Sequence, residues 1–574
     1  MRLITFSTYR FRARGSLQRW VLLATLFVAC RGGMTTQGEA PISLGERAGT
    51  LLSHAIQIDT SNPPGNERVL AERLATYLEA EGIEARVIPL PDPSSPRAAL
   101  WARLPGTGAA PPLILLSHLD VVPADPSAWT VAPFAGVVGG GYVIGRGALD
   151  AKGVTVTHAL SLVEARRRGL ALARDLILLA TPDEEAGGRG GSALIVNHHP
   201  DLLGSARYLL TEGGGILPGE GNTPDIWGVA FTEKTPCWVN LSARGVPGHG
   251  AGPTEAAATH RLVAALGRVA ALPHETQVVP AVAQMFAALA PLAALEDRAG
   301  YASLRGSLAL DPAFRARFLQ DAGRAALVRT TAAITTLSGG ERINMLPSEA
   351  RAGIDARLLP GERCEDFVAR LRGAIDDPSI TLEIELSFPA DAASASATDT
   401  PLMEAIRRAA AKRRPAAAVV PRVIAGFTDA HWFRARGIIA YGFVPRRLRP
   451  AETRGVHGAD ERISIENLGF GIEATLDVLR ELDHVEAGDS ESGDGVAKLP
   501  CSCGARAGRD PRRLLVALAG LFRAASSRRD DGAMSPAEQL AGECLRERAL
   551  RSSRRGSHAP SSITSRGERI SIRE

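Results

Sequence analysis

Several side chains in this chain have the types and the spacing to hold metal ions and move a proton. His118 and Asp120 stand two residues apart at the end of an apolar run, Leu113 to Leu116. Alternate residues of a strand share a face. An imidazole and a carboxylate therefore leave together, one ring nitrogen free for a metal and an acid placed to hold the other N–H. Asp150 follows in a glycine-rich turn, GYVIGRGALD. A His-x-Asp pair alone is common on protein surfaces. What gives this one chemical weight is the repetition of acids and histidines at other strand ends. Asp175 to Ala180 ends in Thr-Pro-Asp183-Glu184-Glu185-Ala-Gly-Gly, and Ala206 to Leu210 ends in Thr-Glu212-Gly-Gly. Ile438 to Phe443 precedes RGVHGADERI, which carries His457. Open α/β sheets bind ligands outside the carboxyl ends of their strands.

In this order and spacing, His118-Leu-Asp120, Gly147-Ala-Leu-Asp150-Ala-Lys-Gly153, Asp183-Glu-Glu185-Ala-Gly-Gly188, Glu212-Gly-Gly214 and His457-Gly458 form a set. The set resembles the aminoacylase, acetylornithine deacetylase, succinyl-diaminopimelate desuccinylase and glutamate carboxypeptidase superfamily, the co-catalytic dizinc exopeptidases and amidohydrolases. The long carboxypeptidase-S-like and N-acyl-amino-acid hydrolase branch is most similar, and the resemblance covers roughly Ile42 to His484. It implies two zinc ions per subunit, with cobalt or manganese as substitutes. Asp150 would bridge them; His118 and Glu212 would complete one shell, and Glu185 and His457 the other. Glu184, neighbour to a ligand, would be the general base for the attacking water. Asp120 would orient His118. His249, in Gly248-His-Gly250, would reach the site of a partner subunit and stabilise the oxyanion. Asn344, in INMLP, would touch substrate, and Arg357 is a further residue able to meet a substrate carboxylate or simply pair with Asp355.

Three departures accompany the resemblance. A hydroxyl common in the family is missing from GHGAGP; His431 follows Thr428-Asp429-Ala430 where arginine is usual; and Asp460 replaces Asn in His457-Gly-Ala-Asp460-Glu461. The second puts the substrate-carboxylate contacts in doubt. None touches an expected metal ligand.

The elements that must carry these residues are readable from periodicity. Gly45–Ile58 and Glu67–Glu81 have helical spacing, separated by the breaker DTSNPPGNE. Val154 to Arg168 is a helix ended by Gly169. From about Thr235 the order is strand, helix, an Ala-rich helical stretch (Ala281 to Arg329), two strands, helix, strand. The fold class expected is α/β: a mixed-sheet zinc-exopeptidase catalytic domain with an inserted α+β, ferredoxin-like dimerisation or lid domain. The boundaries are 40–235 and 390–484 for the two catalytic parts and 236–389 for the insertion, with a small-residue return linker from Pro389. The apolar residues of the insertion (Phe286, Leu289, Leu292, Phe314, Phe318) fit an acyl site and a plain helical core equally.

At 574 residues the chain exceeds one compact core. A net charge of +4 is small, and the basic excess lies at the two ends, so no nucleic-acid partner is expected. Residues 1–30 read as a signal: a basic stretch with Arg2, Arg10, Arg12, Arg14 and Arg19, then the apolar Trp20 to Ala29, then Cys30. This resembles a lipoprotein box, which would tether an exported protein to a membrane by lipid on Cys30, although Phe27 is unusual there. The core holds only Cys237 and Cys364, and no disulfide framework is expected. Residues 485–574, rich in Arg, Ser and Gly, read as a disordered low-complexity tail.

The function expected is hydrolysis of amide bonds in peptides or N-acyl amino acids. The alternative is a metal-containing binding lipoprotein that kept the fold without turnover.

Overall fold

The computed structural model describes residues 42–493 apart from 222, 390–394 and 454. The export signal, Cys30, residues 390–394 of the return linker and the chain after Gly493 lie outside the described residues.

The frame is a nine-stranded mixed sheet. Its spatial order is Glu84–Pro89, Ala98–Leu104, Leu176–Thr181, Leu113–His118, Tyr208–Thr211, Ile439–Gly442, Ile226–Glu233 and Ala418–Ile424, with Gly215–Leu217 pairing on Ile226–Glu233. The two central strands are buried throughout, as continuous apolar runs require when both sheet faces are covered. The period of two sorts their side chains. Leu113, Leu115, Leu176 and Leu178 join the core under the helices Leu44–Ile56, Lys152–Arg167 and Ile465–Gly493. Ile114, Leu116, Ile177 and Leu179 face the opposite layer with Ile195 and Phe433. Each such burial stabilises by roughly 1.5–3 kcal/mol. Leu113–His118 runs parallel to both neighbours, Leu176–Thr181 and Tyr208–Thr211. The ends carrying His118, Glu184, Glu185 and Glu212 thus meet on one edge.

The insertion forms a four-stranded antiparallel sheet, ordered Thr331–Ser338, Glu349–Leu358, Thr235–Arg244, Ile380–Ser387. Helices Ala258–Ala270 and Cys364–Ile375 pack on it, with Val239, Leu241, Leu262, Ile354, Phe367 and Leu371 between. The βαββαβ order and this strand arrangement are ferredoxin-like.

Three expectations are corrected. Cys237 and Cys364 form a disulfide, their Cα atoms 5.4 Å apart across 127 residues of sequence; the strand and the helix bring them together, and their spacing carries no sign of it. The helices from Pro280 to Leu327, expected within the insertion, pack instead against the larger sheet through the strand Ala418–Ile424. There Phe286, Phe314 and Phe318 are buried with Tyr301 in contact with Phe286, so these three aromatics are core. The last helix runs beyond residue 484 to Gly493. Its Glu486 pairs with Arg174 at 2.6 Å and accepts the Tyr208 hydroxyl at 3.0 Å, which draws the first residues of the expected tail into the fold. Also missed were the strands Ile226–Glu233 and Ala418–Ile424, the second of which forms an edge of the sheet.

Candidate metal centre

His118 closes its strand with its ring wholly buried. Its Nε2 lies 3.0 Å from Asp150 Oδ1 and 3.4 Å from Glu212 Oε1. Asp150 turns its other oxygen, Oδ2, to His457 Nε2 at 3.2 Å, and that nitrogen is also 3.2 Å from Glu185 Oε2. One carboxylate thus stands between two imidazoles. Two overlapping groups, His118–Asp150–Glu185 and His118–Glu184–Glu212, each have ligand atoms within 4.8 Å of one another.

The Glu184–Glu185 turn owes its position to the residue before it. Asp183 takes a left-handed conformation, φ 73°, which Asp tolerates better than most residues. Its carboxylate accepts from the Gly190 N–H at 2.7 Å and from the Arg97 guanidinium. Asp120, buried beneath, accepts the N–H groups of Glu184 and Glu185, both at 3.1 Å, and the Asn62 amide at 2.8 Å. His118 Nδ1 is 2.9 Å from the Asp120 main-chain oxygen but 3.5 Å from its carboxylate. The Asp120 side chain, expected to hold the imidazole, therefore mainly holds the turn that bears both glutamates. Asn62 and Arg97 carried no chemical pattern in the sequence; the NPPG breaker was the one local sign of them.

The charges are unbalanced without cations. Among the described residues, no Lys or Arg forms an ion pair with Asp150, Glu184, Glu185 or Glu212. Burial, with Glu212 and Glu185 alongside, raises the Glu184 carboxyl well above its usual range. Burial and the nearby Asp150 push Glu185 up to about 7. Hydrogen bonds that its ring donates to the Asp150 and Glu185 carboxylates raise His457 to about 10. Protons are being drawn where positive charge is lacking. Glu185 Oε1 is buried with no partner. Imidazole and carboxylate donors around an orphaned oxygen fit divalent metal ions, borderline to hard in character.

His249 and Asn344 stand elsewhere. They lie on the insertion, where the pair Gly248–His249 and Met345–Leu346 forms a short antiparallel ribbon. Both are exposed, and neither hydrogen-bonds or ion-pairs with the centre among the described residues. Arg357 pairs with Asp355 at 2.7 Å and lies over the Phe427 ring. His431, the departure from arginine, is buried and stacked on Phe388 at 3.8 Å. Burial lowers its pKa to about 3, so the ring is neutral and supplies no cation to a carboxylate.

Comparison with known proteins agrees with this geometry. Residues 114–481 match the model of peptidase family M20/M25/M40. The N-fatty-acyl-amino acid synthase/hydrolase PM20D1 of Xenopus tropicalis is 28% identical over 378 residues, covering 65% of this chain and 72% of the relative. Carboxypeptidase S-like 2 of Dictyostelium discoideum is 28% identical over 62% of this chain and 69% of its own length. The crystal structure of human carnosine dipeptidase 1 superposes with a TM-score of 0.58 at 15% identity, covering 77% of this chain and 96% of that one, a likeness of fold. The chain belongs to peptidase family M20/M25/M40 and is a hydrolase acting on C–N bonds.

Proposed function

We propose that the protein is a two-metal hydrolase of the amide bond joining an acyl or peptidyl carbonyl to an amino acid. The observation that carries this reading is the convergence of Glu184, Glu185, Glu212 and Asp150 on two imidazoles, with no arginine or lysine ion-paired to these acids among the described residues. His118 and Glu212 would hold one ion, Glu185 and His457 the other, and Asp150 both. Zinc suits the donor set, and cobalt or manganese would substitute. When bound, the pair supplies an acidified water and a polarised carbonyl.

The chain's own part is proton transfer and positioning. Glu184 forms no ion pair with Lys or Arg among the described residues, and its N–H is anchored on Asp120. It takes the proton from the attacking water at its carboxylate and returns it to the leaving nitrogen. His249 and Asn344 are assigned to substrate contact across a homodimer. Their exposure, with Ile343, Met345 and Val246 exposed around them, supports a surface completed by a second copy. The Cys237–Cys364 disulfide supports an exported protein, since such bonds persist in oxidising compartments; attachment through Cys30 is part of the same reading.

Purified protein should cleave members of a dipeptide and N-acyl-amino-acid panel. Chelation should abolish turnover, and zinc should restore it. Full metal content with no turnover on a wide panel would instead favour the non-catalytic binding lipoprotein.

A further inference from the structure

Two arginines share a cavity with the metal centre, and no acid pairs with either. The cavity has a volume of about 660 Å³, and its charged lining residues are Asp150, Glu212, Arg446 and Arg422. Every other lining residue except Thr453 is glycine or apolar, Met285 and Leu289 among them. Arg446 is fixed through Nη1, which donates to the Leu149 oxygen at 2.6 Å. Its Nε is buried without a partner. Glu212, Asp150 and Glu461 act on its charge, but it forms an ion pair with none of them among the described residues. Glu461 is already committed to Arg146 and to the N–H groups of Gly147, Leu149 and Asp150. Arg422 lies along the cavity wall. A Cβ on Gly228, itself in the lining, would come 3.4 Å from its Cδ and 4.0 Å from its Nη1. Arg422 is exposed and forms no ion pair among the described residues.

Arginine does not shed its proton in proteins, and a charge among apolar groups is costly unless it is paired. Attraction to an anion is also stronger there than in water. Nε and Nη2 of Arg446 offer two parallel N–H donors, the geometry that matches the two oxygens of a carboxylate. With Asp150 and Glu212 given to metal ions, as proposed above, no acid of the lining remains to answer the two arginines. His431, which stands in place of an expected arginine, is neutral and stacked on Phe388, and offers a carboxylate no charge.

We propose that Arg446, assisted by Arg422, holds a carboxylate of the substrate in this cavity and so selects amides that carry one. The assignment rests on the amide-hydrolase reading above and deepens it. Two groups can supply the carboxylate: the amino acid itself, or the far end of a dicarboxylic acyl chain. The experiment measures kcat/KM of metal-loaded wild type, Arg446→Met and Arg422→Met on N-acetyl-phenylalanine, N-succinyl-phenylalanine and the carboxyl-amidated phenylalaninamide form of each. The four compounds carry the two carboxylates singly, together or not at all. Arg446→Met should lower kcat/KM by about 10–100-fold on compounds bearing the recognised carboxylate, the loss expected for hydrogen bonds to a charged group. N-acetyl-phenylalaninamide, which bears neither, should keep its wild-type value. Arg422→Met, at an exposed position, should show a smaller loss on the same compounds. Ratios between compounds on one preparation are independent of the fraction folded. A loss that follows the phenylalanine carboxylate assigns the amino-acid end to Arg446, and one that follows succinyl assigns the acyl end. An equal loss on all four compounds would overturn the subsite and leave Arg446 as a support for the Leu149 carbonyl. Calorimetric binding of the four compounds to metal-loaded Glu184→Gln separates the subsite from the reaction. Carboxylate-dependent binding that Arg446→Met weakens, with no turnover of any compound by wild type, would sustain the subsite and overturn amide hydrolysis. Turnover and binding indifferent to both carboxylates would overturn the subsite alone.

Discussion

The carboxylate of Glu461 accepts the main-chain N–H of Asp150 at 2.9 Å, from 311 residues away in sequence. It also accepts the N–H groups of Leu149 at 2.6 Å and Gly147 at 3.0 Å, and the Arg146 guanidinium at 2.8 Å. Four donors on one wholly buried acid clamp the turn that aims Asp150. An amide in its place would set an NH2 group against some of those donors, and an unsatisfied buried group costs about 1–3 kcal/mol. Glu461→Gln should therefore lower the midpoint of urea unfolding and weaken metal retention by about 10–100-fold, the usual effect of losing a group that orients a ligand. Metal competition with a chromophoric chelator measures the second effect; unchanged retention would mean that Asp150 is held by other contacts.

Glu184 separates proton transfer from metal binding. Glu184→Gln should reduce kcat by about 10²–10⁴-fold while the metal content measured on the same sample stays at the wild-type level. A parallel loss of metal would assign Glu184 to the coordination shell, in line with the compact His118–Glu184–Glu212 group.

His158 makes the fold sensitive to acid. It is buried on the helix Lys152–Arg167 with Nδ1 unpartnered. Burial, reinforced by Arg446, lowers its pKa from 6.5 to about 3. The folded state holds the ring neutral while the unfolded chain binds a proton, so the unfolded state gains protons as pH falls through about 6.5. Stability present above that pH is lost progressively toward pH 3. Between pH 7 and 5 the loss from this residue should be roughly 2 kcal/mol. Urea titrations of wild type and His158→Leu at both pH values isolate it, because the other titrating groups are common to both proteins; equal pH dependence would sink the idea.

The disulfide joins the inserted sheet to one of its helices. Cys237→Ser should lower stability by about 2–5 kcal/mol, read as a fall in Tm under oxidising conditions. Wild type treated with a reductant should fall by a similar amount. Free thiols at both positions in native protein would refute the bond.

Much of the site was readable from local sequence. His118 and Asp120 leave a strand together because side chains alternate, and Glu184 and Glu185 follow an apolar run directly. Both signals need only a few adjacent residues. The central strands and most helices were readable for the same reason: continuous apolar runs and helical spacing are local records of burial. The sequence alone thus determined which residues could gather at the sheet edge and the chemistry they share.

Tertiary structure decided what those residues lean on. Asp120 turned out to hold the Glu184–Glu185 turn more than the imidazole, since its partners come from Asn62 and from a loop over sixty residues downstream. Glu461, the Cys237–Cys364 bond and the cavity wall built by Met285 and Leu289 depend on segments separated by one hundred residues or more. Helical periodicity showed that residues 280–327 bury an apolar face, but not which sheet covers it. An apolar stripe carries no address: hydrophobic burial is non-directional, and the partner is chosen only when the whole chain closes.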